Sequence, residues 1–420
     1  MRIELAYGRH GLSVDLPEGD VIEPANPPSL ADEAGAVRAA LRKPFAGPAL
    51  AALVPRGSSI GISVCDVTRP FPAARVLPIL LDELGGTGAT VTVFIATGTH
   101  RSCTQAELQW MLGGRVLEEC RVVQHDAFDR GRHVSLGKVP GTEVEALVER
   151  EYIEQDIRLT TGFIEPHFFA GFSGGPKMVA PGLAAIETVL ELHSAARIGH
   201  PKSIWGVIDG NPVQEGVRAI AARAGIAFNL DVTLNREHRI TGVFGGELFD
   251  SHAAGCEFAR RTAMAPVQEP YDVVVTTNSG YPLDQNLYQS VKGMSAAAQV
   301  VRPGGAILIA SECADGLPDH GRYRHLLAEA AGPDEFLKLL EQPGFQAHDQ
   351  WQVQLQALIQ KRARVLVSCS GLSPEQLRSA WFEPAPDIAV AVRRLLREAG
   401  AGARLAVLPQ GPQTIPYLSA

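Results

Sequence analysis

A histidine and a lysine share one glycine-rich segment, Ile164 to Gly182, with the sequence IEPHFFAGFSGGPKMVAPG. Glycine lets a backbone bend sharply and approach a ligand closely, and this mixture of residues suits neither a regular helix nor a strand. A partly buried amine such as that of Lys177 can serve as a nucleophile or as a covalent anchor, and His167 could add an acid or base. The segment therefore predicts a loop shaped around a ligand; the alternative is a packed surface loop with Lys177 exposed.

A carboxylate, a hydroxyl and a guanidinium follow the apolar run SIGISVC in the turn DVTRP, as Asp66, Thr68 and Arg69. The planar guanidinium fork suits a carboxylate or a phosphate, and Asp66 could hold Arg69 or bind a ribose hydroxyl. The alternative is an ordinary turn in which Asp66 caps the next helix. The turn is thus a candidate site for an acidic substrate or a nucleotide.

The next apolar run ends in ATGTHR, which contributes Thr97, Gly98 and His100. Backbone N–H groups and threonine hydroxyls at such a turn could bind phosphate, although the spacing is not that of a P-loop. His100, at a strand end, could exchange protons near neutral pH. The alternative for His100 is a structural or merely solvated side chain.

Two further groups are candidates for binding a metal and a substrate. LELHSAARIGHP carries His193 and His200, and imidazole suits first-row metals, but no cysteine or acidic partner stands at ligand spacing. YQSVKG places Tyr288, Gln289 and Lys292 on one predicted helix, with the tyrosine and the lysine on the same face. Lys292 could pair with a substrate carboxylate, and the alternative is a solvated helical lysine.

Strand–helix–strand patterns supply the elements that must position these side chains. The first pattern consists of SIGISVC, the amphipathic segment AARVLPILLDELGG and ATVTVFIATGTH. A second pattern runs from YDVVVTTNSG to GGAILIASECADG, and a weaker third runs from RVLVSCSGLS to ARLAVLPQG. This alternation is typical of βαβ units and of a parallel sheet. The predicted fold class is therefore α/β, with two open parallel, Rossmann-like sheets.

The Pro-rich segment AMAPVQEPYD is predicted to be a linker between the two sheets. The predicted domains are 1–268 and 269–400, followed by a C-terminal segment, 401–420, that can pack back on the N-terminal domain. Ligands of open parallel sheets lie beyond the carboxyl ends of the strands, and both predicted sheets carry polar residues there. The sequence therefore predicts an active site in the cleft between the domains.

Bulk composition limits the classes of partner. The 420 residues carry a formal net charge of −8 and no long unbroken apolar run, so neither nucleic acid nor a membrane is expected as a partner. The N-terminus MRIELAYGRHGLSVDLPEG alternates apolar and polar residues, which predicts a strand or hairpin rather than a signal peptide. The separated cysteines include no C-x-x-C pair and form neither a zinc-finger pattern nor a disulfide framework. The expected compartment is the cytoplasm.

Five motifs occur along the chain in the order DVTRP, TGTH, EPHFFAGFSGGPKMVAPG, LHSAARIGHP and YQSVKG. Together they resemble the nickel-dependent lactate racemase family over most of the chain. The resemblance implies two α/β domains with a nickel-pincer nucleotide (pyridinium-3,5-bisthiocarboxylic acid mononucleotide) between them. It also implies inversion of the hydroxyl-bearing carbon of lactate or a related short-chain 2-hydroxy acid. The implied partners are that small acid and the cofactor-biosynthesis proteins.

The same resemblance implies a role for each candidate residue. Lys177 would carry the nucleotide through a thioamide on its side-chain nitrogen, and His193 would be the axial nickel ligand, with His200 in reserve. His100 and His167 would be paired acid/base residues on opposite faces of the substrate. The substrate carboxylate and developing charge would be held by Arg69, Lys292, Tyr288 and Gln289, and the nucleotide by Asp66, Thr68, Thr97 and Gly98. The candidate pocket walls are Phe168, Phe169, Tyr281 and Trp351, and the alternative for each is core or cleft packing.

Elementary chemistry favours hydride transfer in such a reaction. Removing the α-proton of a 2-hydroxy acid leaves a carbanion beside a carboxylate that is already negative, whereas removing hydride leaves a neutral ketone. A pyridinium ring can store hydride while the protein supplies orientation and proton transfer. Two alternatives stay open. One is an NAD-type 2-hydroxy acid dehydrogenase, although no G-x-G-x-x-G follows the early strands; the other is a non-catalytic carrier or binding protein for the nickel cofactor.

Overall fold

Two six-stranded sheets form the centre of the fold in a computed structural model, which describes residues 1–318 and 321–419. The strands within those residues are β1 Arg2–Leu5, β2 Leu12–Asp15, β3 Asp20–Val21, β4 Ser59–Cys65, β5 Thr90–Ala96, β6 Arg121–Gln124, β7 His133–Lys138, β8 Glu145–Glu149, β9 Ile157–Phe163, β10 Pro166–His167, β11 Gly171–Phe172, β12 Phe228–Leu234, β13 Ile240–Gly246, β14 Met264–Val267, β15 Tyr271–Thr277, β16 Val301–Ala310, β17 Arg364–Ser368, β18 Glu383–Pro384, β19 Leu405–Leu408 and β20 Ile415–Leu418.

Helices alternate with these strands along most of the chain. They are α1 Glu33–Arg42, α2 Leu50–Leu53, α3 Ala73–Leu84, α4 Gln105–Glu119, α5 Arg150–Ile153, α6 Ile186–Leu192, α7 Ala195–Ile198, α8 Pro212–Ala224, α9 Leu248–Ala263, α10 Leu287–Ala298, α11 Tyr323–Ala328, α12 Pro333–Leu340, α13 Gln350–Arg362, α14 Pro374–Ser379 and α15 Ile388–Ala399. Short 3-10 helices occur at Arg130–Arg132, Gly175–Met178 and Gly411–Gln413. Among the described residues, no helix combines the length and apolar character needed to cross a bilayer.

The chain divides into two compact units, each built on one of the six-stranded sheets. Unit 1 consists of residues 1–25, 194–201 and 263–420, and unit 2 consists of residues 26–193 and 202–262. The longest segment of unit 1 thus begins close to the predicted boundary between the domains. Unit 1 also includes the N-terminal strands β1 to β3 and the C-terminal strands β19 and β20.

The sheet of unit 2 has the strand order β13-β12-β9-β4-β5-β6. All neighbours are parallel except β13, which runs antiparallel to β12 at one edge. The predicted strand–helix–strand pattern is confirmed as β4, α3 and β5. Successive strand residues point to opposite faces: Val93 and Ile95 of β5 join one apolar cluster with Leu77 of α3, whereas Phe94 joins another with Val217 of α8. Both faces are covered, which explains why β4 and β5 are rich in apolar residues.

The sheet of unit 1 has the order β18-β17-β16-β15-β19-β3 and is parallel throughout. The second and third predicted patterns are confirmed as β15–α10–β16 and β17–α15–β19. The N-terminus forms the predicted hairpin, β1 and β2, and then β3 pairs with β19. The segment predicted as a linker contains β14, which pairs in parallel with β20. Pro266 is tolerated there because a two-stranded ribbon leaves one edge of each strand unpaired.

A close backbone approach between α10 and β15 explains a glycine inside that helix. A Cβ added to Gly293 would lie 2.0 Å from the carbonyl oxygen of Thr277, the last residue of β15. Replacing Gly293 with alanine should therefore lower the free energy of unfolding by about 1–3 kcal/mol, even though alanine is intrinsically the better helix former by about 1 kcal/mol. Chemical denaturation of the two proteins measures the difference.

Gly114 of α4 offers a matched control for this substitution. The nearest atom that its added Cβ would meet, Nε2 of Gln109, is 3.8 Å away, which is ordinary contact. Gly114→Ala should leave stability unchanged or raise it slightly. A Gly293→Ala protein as stable as its parent would contradict the close approach.

Candidate active site

The carboxyl edge of the unit 2 sheet holds a histidine–aspartate pair. Asp66 directly follows β4, and His100 follows β5 after a short turn. Nδ1 of His100 lies 2.8 Å from Oδ2 of Asp66. The carboxylate is buried, whereas 46% of the His100 side chain is exposed. Both residues are predicted from the sequence to lie at this edge, but Asp66 is predicted to bind the nucleotide, because nothing local links residues 34 positions apart.

This pair fixes the proton on one ring nitrogen of His100. A carboxylate only accepts, so Nδ1 carries the proton and the neutral ring has its lone pair on Nε2. Burial alone would raise the pKa of Asp66, but the hydrogen bond and charge of His100, together with the hydroxyl of Thr68, hold that pKa below its usual value. Asp66 is therefore ionised at neutral pH and can stabilise the imidazolium that forms when His100 accepts a proton.

The other predicted residues of these turns are held by local hydrogen bonds. Nη1 of Arg69 donates to the hydroxyl of Thr68 at 3.0 Å, and that hydroxyl donates to Oδ1 of Asp66 at 2.6 Å. The hydroxyl of Thr97 is buried and donates to the carbonyl of His125 at 2.9 Å. Within the described residues, Arg69 makes hydrogen bonds through Nη1 alone. The rest of its fork can therefore meet a carboxylate or phosphate.

The glycine-rich segment lies on the same sheet edge. Its 3-10 helix contains Lys177. The hydroxyl of Ser63 in β4 donates to the carbonyl of Met178 at 2.7 Å. After β5, the N–H of Gly98 donates to the carbonyl of Gly182 at 2.9 Å. The ends of β4 and β5 thus both hold the segment that carries the predicted cofactor lysine.

The ring of Phe169 brings three predicted site residues together. The ring centroids of His167 and His193 lie 4.5 and 5.1 Å from that of Phe169, both in edge-on arrangements. Nζ of Lys177 lies 5.9 Å from the same centroid. Phe169 is buried, and its carbonyl accepts the side-chain amide of Asn211 at 2.9 Å. Two imidazoles and an amine therefore converge around one fixed aromatic ring.

Backbone hydrogen bonds set the neutral form of both imidazoles. His193 caps the end of α6 and donates from Nδ1 to the carbonyl of Val189 at 2.7 Å, so its lone pair is on Nε2, in the form that binds a metal. Nδ1 of His167 instead accepts the N–H of Ala170 at 3.2 Å, so its neutral ring carries the proton on Nε2. In the neutral rings, Nε2 of His100 therefore carries a lone pair, whereas Nε2 of His167 carries a proton.

Two buried polar residues beneath the glycine turn are not among the site residues predicted from the sequence. Oδ1 of Asp231, in β12, accepts the N–H of Gly175 at 3.2 Å. Nε2 of His252, in α9, lies 2.9 Å from the carbonyl of Ser173. Burial lowers the pKa of His252 to about 4, so the ring is neutral and donates this hydrogen bond. Together they fix the backbone just ahead of Lys177.

The buried carboxyl of Asp231 predicts a distinctive pH dependence of stability. Burial raises its pKa from 3.8 to about 6, against the lowering effect of hydrogen bonds from Asn229 and Gly175. A group that holds its proton more tightly in the folded state stabilises at low pH, so its contribution falls as pH rises from about 4 to about 6, by on the order of 3 kcal/mol. Asp231→Asn should remove this fall, which urea unfolding across the same pH range measures.

Asp250→Asn, at an exposed position of α9, is the matched control and should keep the pH profile of the parent. Asparagine at position 231 also turns an amide hydrogen toward a donor, so some loss of stability is expected at every pH. Only the slope of the free energy of unfolding against pH therefore tests the carboxyl group. Parallel stability curves for the parent and Asp231→Asn would contradict the raised pKa.

Unit 1 carries four of the predicted site residues. Nine of the twelve residues of α10 are buried, and the remaining three are Tyr288, Gln289 and Lys292. The accessible face of this helix thus consists of the side chains predicted to meet the substrate. His200, the reserve nickel ligand, is exposed and also lies in unit 1, whereas His193 lies at the end of α6 in unit 2.

The predicted pocket walls have different surroundings. Phe168 is buried, with its ring centroid 4.9 Å from that of His167. Trp351, on α13, is buried as well. Tyr281 is 44% exposed, and the guanidinium of Arg9 lies 3.5 Å from its ring centroid. Phe168 is thus in contact with a predicted catalytic residue.

Comparison with known proteins finds matches over nearly the whole chain. The family model for the lactate racemase N-terminal domain matches residues 7–206, and that for the lactate racemase C-terminal domain matches residues 267–415. The lactate racemase of Thermoanaerobacterium thermosaccharolyticum is 34% identical over 98% of each chain. That of Lactiplantibacillus plantarum is 31% identical over 97% of this chain and 98% of its own. The structure of the T. thermosaccharolyticum lactate racemase apoprotein superposes with a TM-score of 0.92 at 33% identity, covering 99% of this chain and 100% of that chain.

Proposed function

Because this chain belongs to the lactate racemase family, we propose that it inverts C2 of a short-chain 2-hydroxy acid, with lactate as the first expected substrate. The observation that carries the proposal is the convergence of His167, His193 and Lys177 on the ring of Phe169. A proton carrier, a metal ligand and an anchor are thereby available together. The histidine–aspartate pair on the same sheet edge supplies a second proton carrier.

The proposed cofactor is a nickel-pincer nucleotide, and the residues of unit 2 suit it. The amine of Lys177 can form the covalent bond, and Nε2 of His193 has the lone pair that nickel requires. The turn that contains Thr97 and Gly98 is the candidate for the nucleotide part. When bound, the nucleotide would supply an electrophilic pyridinium carbon, which is chemistry suited to reversible hydride transfer from C2. Proteins that build and insert this nucleotide are the partners that the proposal requires.

His100 is proposed to accept the hydroxyl proton of one enantiomer. Its lone pair is on Nε2, and its side chain is exposed enough for a substrate to reach it. The ionised Asp66 stabilises the resulting imidazolium and keeps the ring in one orientation. Assistance of this kind contributes about 10²–10⁴-fold to a rate.

His167 is proposed to exchange the proton for the other enantiomer. Its neutral ring begins with the proton on Nε2, because Nδ1 accepts the N–H of Ala170. A ring that lost this proton without gaining another would become an imidazolate, which is far too basic at neutral pH. Donation by His167 therefore requires Nδ1 to take up a proton and to release Ala170.

A cation must neutralise the carboxylate of the substrate. In unit 2 the candidate is Arg69, whose fork is engaged only at Nη1 within the described residues. On the accessible face of α10 the candidate is Lys292, with Tyr288 beside it. The apolar ring of Phe168 next to the proposed acid/base histidine suits a methyl or larger apolar substituent, whereas a second carboxylate would need a further cation.

Optical activity tests the proposed reaction. The protein is produced together with the cofactor-building enzymes and incubated with each enantiomer of lactate and of larger aliphatic and aromatic 2-hydroxy acids. The rotation of both lactate enantiomers should decay to zero. Loaded protein that inverts no member of the panel would contradict the racemase and favour a cofactor carrier.

The same reaction in D₂O separates hydride return from direct deprotonation. Hydride return keeps protium at C2 of the inverted product, because that hydrogen never exchanges with solvent. Mass spectrometry or NMR of the product measures the deuterium content. Stoichiometric deuterium at C2 would contradict hydride transfer, although inversion itself would stand.

A further inference from the structure

A second group of metal-binding side chains lies inside unit 2 and has no part in the proposed reaction. It consists of His125, just after β6, His133, at the start of β7, and Glu149, at the end of β8. One ligand atom from each lies within 4.8 Å of the other two. The three residues are only 1%, 4% and 2% exposed. Buried imidazoles and a buried carboxylate this close together require a physical explanation.

The hydrogen bonds of His125 place an unprotonated ring nitrogen opposite a carboxylate oxygen of Glu149, so that two hydrogen-bond acceptors face each other. Its Nε2 lies 3.1 Å from the carbonyl oxygen of Ala184, which can only accept, so Nε2 holds the proton. In the neutral ring the lone pair is then on Nδ1, which lies 3.2 Å from Oε2 of Glu149. A lone pair and a carboxylate repel each other unless a proton or a metal cation lies between them.

The hydrogen bonds of His133 leave a buried lone pair. Nδ1 donates to the carbonyl of Asp129 at 2.9 Å, so the lone pair is on Nε2. That atom is buried and has no hydrogen-bond partner among residues 1–318 and 321–419. In the neutral ring this nitrogen therefore stays unsatisfied unless a ligand binds it.

We propose that Nδ1 of His125, Nε2 of His133 and the carboxylate of Glu149 bind one divalent first-row metal ion, with zinc as the expected occupant. Two imidazoles and one carboxylate are an established zinc ligand set that leaves a fourth position for water. Tetrahedral ligands about 2.0–2.2 Å from zinc lie about 3.3 Å apart, close to the 3.2 Å between Nδ1 and Oε2. The carbonyls of Ala184 and Asp129 already fix both tautomers, as outer groups do in metal sites.

A proton is the competing occupant of the space between His125 and Glu149. An imidazolium at His125 would satisfy the carboxylate, which Nη2 of Arg132 also contacts at 3.1 Å. That arrangement still leaves Nε2 of His133 without a partner, whereas a metal ion satisfies all three ligands. The side chain of Arg132 is 30% exposed, so its charge opposes the metal ion from the edge of the cluster. Removing that charge should strengthen metal binding.

The cluster joins backbone segments that lead to the candidate active site. The N–H of Glu149 donates to the carbonyl of Leu183 at 2.8 Å, and the N–H of Ala185 donates to the carbonyl of Leu147 at 3.0 Å. These residues directly precede α6, the helix that His193 caps. A metal ion bound here would fix the start of that helix. Zinc binding at this cluster does not depend on the proposed reaction.

Metal analysis of the full-length protein tests the proposal. Protein made without the cofactor-building enzymes is incubated with zinc, passed over a chelating resin and analysed by plasma mass spectrometry. The parent should retain one zinc ion per chain, His133→Gln should lose it, and Arg132→Gln should retain it with equal or higher affinity. His193→Ala, which removes the predicted nickel ligand, is the control and should also retain zinc. A parent without zinc, or a His133→Gln protein with as much zinc as the parent, would overturn the proposal.

X-ray absorption at the zinc edge keeps the proposal testable should His133→Gln fail to fold. The spectrum of the zinc-loaded parent should show scattering from two imidazoles and only nitrogen or oxygen ligands at about 2.0–2.2 Å. A spectrum with fewer imidazoles, or with sulfur at about 2.3 Å, would assign the zinc to another place and overturn the proposal.

Discussion

Replacing Lys177 with alanine should abolish racemisation and leave the protein without a nucleotide-sized mass adduct. Lys177 lies in a 3-10 helix between the buried Pro176 and Met178, and its Nζ is 5.9 Å from the ring centroid of Phe169. Without the amine the proposed covalent bond cannot form, so the whole contribution of the cofactor is lost. The loss should therefore exceed the about 10²–10⁴-fold that a proton-transfer residue contributes. Intact-mass spectrometry and the decay of optical rotation measure the two effects.

Two further variants separate anchoring from charge and from folding. Lys177→Arg keeps a cation but cannot form the thioamide, so it should also lack both the adduct and activity. Lys138→Ala is the matched control, since Lys138 is an exposed lysine of β7 in the same unit and pairs with Glu143; it should keep the adduct and the parent rate. An active Lys177→Arg enzyme, or an adduct on Lys177→Ala, would rule out Lys177 as the anchor.

Local patterns in the sequence suffice to predict the elements that carry the candidate site. SIGISVC coincides with β4 because a strand that is buried on both faces is a largely apolar run, bounded by polar residues. YQSVKG lies in α10, where the three polar positions singled out are also the three that are not buried. The carboxyl ends of parallel strands share one edge, which is why Asp66 and His100 could be expected on the same side of the sheet.

Contacts between distant residues could not be predicted in this way. Asp231 and His252 support the glycine turn from positions 56 and 79 residues away. A hydrogen bond from one side chain to a distant backbone group leaves no periodic trace in the sequence. The available signal is a carboxylate inside the otherwise uncharged run FNLDVTL, since a buried charge requires a partner. Similarly, nothing local indicates that β3, near the N-terminus, pairs with β19.

Replacing His100 with alanine should lower the rate of racemisation by about 10²–10⁴-fold in both directions while the adduct on Lys177 remains. The retained adduct distinguishes this loss from failure to bind the cofactor. The rate should fall in both directions because each histidine accepts a proton in one direction and donates it in the other. Rates from each lactate enantiomer, normalised to the loaded fraction by intact mass, measure the effect. A loaded His100→Ala enzyme with the parent rate would exclude His100 from proton transfer.

Asp66→Asn should lower the rate of racemisation almost as much as His100→Ala does, for a reason that is specific to this turn. The hydroxyl and N–H of Thr68 both donate to Oδ1 of Asp66, at 2.6 and 3.3 Å. An asparagine would therefore direct its carbonyl toward Thr68 and its NH₂ group toward His100. Nδ1 of His100 would then have to accept, so its proton would move to Nε2, where the lone pair is needed. The base would thus be lost although its ring stays in place.

A double-mutant cycle distinguishes this positioning role from an independent one. If Asp66 acts through His100, the double variant His100→Ala/Asp66→Asn should be no slower than His100→Ala alone, because residues that act as a unit are not additive. Asp156→Asn is the control, since Asp156 pairs with Ser59 at the opposite end of β4 and should leave the rate unchanged. Multiplicative losses in the double variant would show that Asp66 contributes independently of His100, through the nucleotide.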